Sequence, residues 1–147
     1  MSTNRAQTVI KAAVLVIFVF FAAANVSNCQ SLKEIMSAKE YKTAVKNLRA
    51  DIASENLGVR KCAIYFAGKY HITEIINDLV AHLQNETDTD SRILIGMSIY
   101  TLGEKKGIQD LQNYAFTEKD PRVKKMLLEI CSQFNFNSGN SLVSVSE

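Results

Sequence analysis

The chain contains no tryptophan, a single proline and only six glycines in 147 residues. Sandwiches and barrels built of short strands need turn residues far more often than that, so the shortage excludes an all-β design and leaves helices as the building element. The three cysteines (Cys29, Cys62 and Cys131) lie far apart with no C-x-x-C pair, and the two histidines (His71 and His82) form no H-E-x-x-H. Neither set has the spacing of a zinc site. Also absent are a G-x-S-x-G elbow, a P-loop and a dinucleotide-binding glycine pattern. No catalytic residue, cofactor or metal is therefore expected, and the chain reads as a non-enzyme. A charge excess is missing too. From residue 25 onward 15 basic side chains stand against 15 acidic ones. That argues against a nucleic-acid partner, since neutralising phosphates requires a basic surplus. The apolar share of 47% suffices for one packed domain and excludes a disordered chain.

What is present begins with an address. Arg5 and Lys11 precede an unbroken apolar run, Ala12 to Ala24. The run is 13 residues long, short of the roughly 20 that span a bilayer as a helix. Ala22 and Ala24 fit the small-x-small rule, so residues 1–24 are expected to be a signal peptide cut before Asn25. The mature protein is then exported, to the periplasm or outside the cell. Val26-Ser27-Asn28-Cys29 resembles the bacterial lipobox, with Asn28 where Gly, Ala or Ser is usual. That resemblance implies a lipid on Cys29, and membrane contact is expected only through such an anchor. The alternative is a cysteine in a processed-off or floppy N-terminus. Residues 25–39 read as an N-terminal segment with a short capping helix around Leu32, Ile35 and Met36.

Sliding the chain against itself by 32 residues brings like residues into register. Asn56, Asp88 and Asp120 align, as do Arg60, Arg92 and Lys124, then Ala67, Ile99 and Cys131. In the second half of the unit Ile76 meets Ile108, Asp78 meets Asp110, Leu79 meets Leu111 and Glu86 meets Glu118. Each unit reads as two helices. Asp120-Pro121 is the clearest start, an Asp cap followed by proline in the first turn. Val123, Met126, Leu127, Ile130 and Cys131 then recur at helical spacing. Gly103 stops the equivalent helix one unit earlier. Upstream, Tyr41, Ala44, Val45, Leu48 and Ile52 form a further amphipathic helix, the second half of an earlier unit. The tail 135–147, rich in Asn and Ser, is expected to be disordered.

The start Asn56-Leu57-Gly58-Val59-Arg60, with Cys62-Ala63 and Ala67-Gly68 after it, resembles the start of a HEAT-like repeat. Asp120 to Lys124 repeats it, with Lys for Arg. Asp88 to Arg92 keeps the Asp and Arg but places Ser91 at the apolar position. The Trp-Leu-Gly-Tyr pattern of tetratricopeptide units and the Thr-Pro-Leu-His of ankyrins are absent. Over residues 40–134 the chain is thus similar to short phycobilin-lyase-type HEAT repeats and to small exported bacterial proteins that carry them. The resemblance implies an all-α fold, a short right-handed α-solenoid of about three stacked helix pairs, whose task is to hold another protein. It does not import lyase activity, although a lyase-like accessory protein handling a pigment or small molecule is the alternative.

In such stacks the second helices line the concave side, and any partner is expected there. Asp78 and His82 lie four apart on one second helix, and Asp110 and Tyr114 take the same columns one unit later. With Lys46 one period upstream, they give a polar ladder (Lys46, Asp78, Asp110) beside a ring ladder (His82, Tyr114). The plain alternative is a solvated helix face. The Arg60, Arg92 and Lys124 column is expected to tie neighbouring turns together, with Asp88 and Asp120 as its carboxylates. Cys62 and Cys131 are expected in buried columns two units apart. Helices packed at about 8–10 Å per step place them too far apart to bond. Asn85-Glu86-Thr87 is a glycosylation sequon that matters only in a eukaryotic source.

Overall fold

A computed structural model of the chain describes residues 32–143, with side chains described to residue 138. The expected signal peptide, its cleavage site and Cys29 lie outside the described residues. Within them every regular element is helical, and no strand occurs. The order is α1 (Leu32–Ile35), α2 (Ala38–Ile52), α3 (Leu57–Lys69), a 3-10 turn (Thr73–Ile75), α4 (Ile76–Leu83), α5 (Thr89–Leu102), α6 (Lys105–Thr117) and α7 (Pro121–Val143).

The starts of α2, α3, α5 and α7 fall where polar side chains satisfy free amides. Ser37 and Glu40 form a reciprocal capping box at α2. Asn56 Oδ1 accepts from the amides of Gly58 and Val59. Asp88 Oδ1 accepts from Ser91 N at 2.8 Å, and Asp120 Oδ1 accepts from Arg122 N and Val123 N. The Asn56, Asp88 and Asp120 register is thus a register of N-caps. At the other end of α5, Gly103 takes φ 73°, a left-handed conformation that glycine adopts without strain.

α2 packs on α3, and α4, α5 and α6 each on the next helix, while further contacts run to the helix two places along. α3 packs on α5 and α5 on α7, while α2 packs on α4 and α4 on α6. The core follows the apolar stripes: Ile64, Leu79, Leu83, Ile99, Leu111 and Leu127 are fully buried. Close approach needs small residues. A Cβ added at Gly68 would lie 3.1 Å from the Ser98 backbone, and Ser98 Oγ donates to Ile64 O across the same α3–α5 contact. A Cβ at Gly96 would overlap the end of the Leu127 side chain on α7.

Two expectations are corrected here. Residues 135–143 are not a disordered tail, because α7 continues to Val143. Tertiary contacts extend it: the Phe134 ring meets Tyr100 edge-on at 6.2 Å, and Asn137 Nδ2 donates to the Tyr100 hydroxyl at 3.0 Å. Cys62 is exposed, not buried, whereas Cys131 is buried, and both are free thiols. The inward positions of α3 are Ala63, Ile64, Ala67 and Gly68, which leaves Cys62 pointing away from the core.

Candidate functional site

The most elaborate polar geometry repeats at the 32-residue spacing. Glu86, in the turn between α4 and α5, receives Arg60 from α3. Arg60 Nε donates to Glu86 Oε2 at 2.7 Å. The other oxygen accepts the amides of Thr87 and Asp88, both at 2.8 Å, and His82 Nε2 lies 3.1 Å from Oε2. One unit later Arg92 donates to both oxygens of Glu118 at 2.8 Å. Glu118 Oε1 accepts the amides of Lys119 and Asp120, and the Tyr114 hydroxyl donates to Oε2 at 2.8 Å. Each node therefore joins a basic residue from one helix pair, a ring from its second helix and the turn that leads to the next.

This geometry changes two sequence-based assignments. The arginine column does tie turns together, but its principal carboxylates are Glu86 and Glu118, not Asp88 and Asp120. Asp88 pairs with Lys61 at 2.8 Å, and Asp120 is 3.8 Å from Arg92. Lys124, the third member of the column, donates to Phe116 O at 2.9 Å. His82 and Tyr114 are half-buried parts of these nodes as well as members of the expected ring ladder.

The polar ladder separates differently. Asp78 accepts from Arg49 Nε at 2.9 Å, and Asp110 accepts from Lys106 at 2.7 Å. Lys46 is exposed but does not share the column of Asp78. Val45, Leu48 and Ile52 on α2 occupy the inward positions that Ile76, Leu79 and Leu83 occupy on α4, a spacing of 31. The turn after α2 is one residue shorter, and Ser54 stands one period before Glu86. The basic residue beside Asp78 is therefore Arg49, which the 32-residue register passed over.

Burial pushes the Glu86 carboxyl up, but Arg60, the Asp88 amide and His82 outweigh it and hold the pKa below its ordinary value of 4.5. Glu118 is likewise lowered: burial is outweighed by the Asp120 amide, Tyr114 and Arg92. Asp88 is lowered to about 2 by Lys61 and Ser91. Unfolding returns these groups to ordinary values, so the unfolded chain binds more protons in acid. Their stabilisation is complete above about pH 4.5 and is lost as the pH falls through the lowered folded values. Thermal melts in a pH series should hold steady near neutrality and drop below about pH 4.5, with Glu86→Gln and Glu118→Gln each flattening the drop. A melting temperature that ignores pH across that window would contradict the nodes.

Two grooves lie between packed helices. One, of about 500 Å³, lies between α4 and α6 and is lined by Val80, Gln84, Asp110, Asn113, Tyr114 and Thr117. It brings together two expected site residues, Asp110 and Tyr114. The other, of about 400 Å³, lies between α5 and α7 and is lined by Met97, Tyr100, Thr101, Glu129, Ile130 and Gln133. No protein family, curated protein or solved structure matches this chain. Among the described residues no group of histidine, cysteine and carboxylate side chains is placed to hold a metal ion. No described helix is long and apolar enough to cross a membrane.

Proposed function

We propose that the chain is an exported, non-catalytic HEAT-like module that holds a protein partner in the groove between its second helices. The solenoid reading rests on two features: helices that pack on the element two places along, and a polar node that recurs at the repeat spacing. The observation that carries the binding reading is the α4–α6 groove. Gln84, Asp110 and Asn113 offer amide and carboxylate groups beside the partly buried Tyr114, a polar set around an apolar floor formed by Val80. Because His82 and Tyr114 also hold the nodes, Gln84, Asp110 and Asn113 are the better positions for a test.

The experiment is capture of partners from the envelope fraction of the source cell, using the exported protein as bait. The triple change Gln84→Ala, Asp110→Ala and Asn113→Ala is expected to leave the fold intact, since Gln84 and Asn113 are exposed, the Asp110–Lys106 pair lies at the surface, and surface substitutions usually stay within about 0.5 kcal/mol each, and to abolish capture. Capture that survives this change but is lost on Met97→Ser and Ile130→Ser would move the site to the α5–α7 groove. The lyase-like reading has one observation in its favour, the exposed thiol of Cys62. Incubation with a phycobilin followed by peptide mapping tests it; an unmodified Cys62 peptide would set that reading aside.

A further inference from the structure

Ser91, Ser98 and Leu102 lie on the side of α5 that meets α3, and they are 0%, 4% and 6% exposed. One period earlier the same positions hold Val59, Phe66 and Tyr70, which are 41%, 41% and 36% exposed. The difference has a simple cause. α5 is covered on that side by α3, and among the described residues no helix covers the equivalent side of α3. A water-facing position would ordinarily carry polar residues, yet the polar side chains, Ser91 and Ser98, stand at two of the three covered positions. Here the uncovered positions carry a valine and two aromatic rings instead, an exposed apolar group of the kind that marks a contact surface.

Further rings and a lysine stand beside it. Phe66 lies with its ring centre 5.7 Å from that of Tyr65 and 5.8 Å from that of Tyr70. The Lys69 amino group sits 5.6 Å and 5.5 Å from the centres of Tyr65 and Tyr70. No acidic residue occurs in α3. Arg60 and Lys61 are held by Glu86 and Asp88, which leaves Lys69 as the basic group beside the rings. Lys33 of α1 pairs with Glu74, four residues past Tyr70.

We propose that this edge of α3 docks on the surface of an anionic lipid bilayer. Tyrosine and lysine together suit the headgroup layer, where a ring can lie among acyl chains while its hydroxyl and a nearby ammonium stay hydrated. Lys69, set beside the rings on a helix without an acidic residue, favours an anionic leaflet over a neutral one. A second copy is a poorer occupant, because pairing α3 with α3 would set two acid-free, lysine-bearing helices against each other. Docking here leaves the groove between α4 and α6 to the partner, so the two proposals fail separately.

Cys62 reports on the contact, since it is exposed on α3 between Val59 and Phe66. In the full chain carrying Cys29→Ser, Cys62 is the exposed thiol and Cys131 is buried. Its reaction with a membrane-impermeant maleimide is followed in buffer, with phosphatidylglycerol vesicles and with phosphatidylcholine vesicles. The expected result is labelling several-fold slower with phosphatidylglycerol than in buffer, and less protection with phosphatidylcholine. Phe66→Ser with Tyr70→Ser, and separately Lys69→Glu, should restore fast labelling while leaving the circular dichroism unchanged. Equal rates in buffer and in phosphatidylglycerol would overturn the proposal, even if the protein floats with the vesicles through its N-terminus. Protection that grows with protein concentration in the absence of lipid would overturn it in favour of self-association.

Discussion

Replacing Glu118 with alanine is expected to destabilise the domain by about 3–5 kcal/mol, the cost of breaking a buried ion pair from one side. The Glu118 side chain is 3% exposed and that of Arg92 15%, so water does little to rescue the orphaned guanidinium. Arg92 Nε is already buried without a hydrogen-bond partner among the described residues, and the substitution would strand further donors beside it. The amides of Lys119 and Asp120 would lose their acceptor just before the cap of α7. For a domain of this size about 1 kcal/mol corresponds to several degrees in Tm, so the melt should fall by more than about 10 °C. Glu118→Gln keeps one acceptor oxygen and should fall less. An alanine variant that melts within a few degrees of the parent would show that the node is decorative.

The second large effect is a pair that does not add. Leu127 is fully buried, and Leu127→Ala should cost about 2–5 kcal/mol through lost burial and a cavity. Gly96→Ala alone drives its new methyl into the end of the Leu127 side chain. Overpacking of that kind costs about 1–3 kcal/mol, less whatever alanine returns as a better helix former. Combined, the alanine at 96 grows into space that the shortened residue 127 vacates. The double variant should therefore be at least about 1 kcal/mol more stable than the sum of the single changes, as expected for residues in direct contact. Strict additivity in a denaturant titration would mean that α5 and α7 do not meet at Gly96.

Much of the helix order was legible because caps and stripes are local signals. Asn56, Asp88 and Asp120 mark starts whatever the helices later pack against, and Gly103 marks a stop. Tertiary choices were less legible. Glu86 and Glu118 aligned in sequence, but each stands two residues from an aspartate with the same charge. Only side-chain reach decides which of them meets the arginine. Cys62 misled because it sits one position before Ala63, and one position on a helix is a rotation of about 100°. The α2 register slipped for a related reason, since the turn after α2 is shorter by one residue and offsets the columns of α2 from those that follow. The helical stretch beyond residue 134 carries a weak local signal. It is held by Tyr100, whose contribution cannot be seen from the Asn- and Ser-rich segment itself. Among the expected site residues, Asp110 and Tyr114 line one groove, while Asp78, His82 and Lys46 are absent from its lining.

The nodes also limit how such a chain can change length. Arg60 and Glu86 come from different sides of a helix pair, as do Arg92 and Glu118, so neither half works without the other. A duplication of one whole period after Asp88 would bring its own arginine, ring and glutamate and leave both existing nodes intact. A gain or loss of a few residues within a turn would instead separate an arginine from its glutamate. Growth and shrinkage in whole units are thus the changes this interlock tolerates, and the single-residue deficit after α2 falls where Ser54 stands in place of a glutamate.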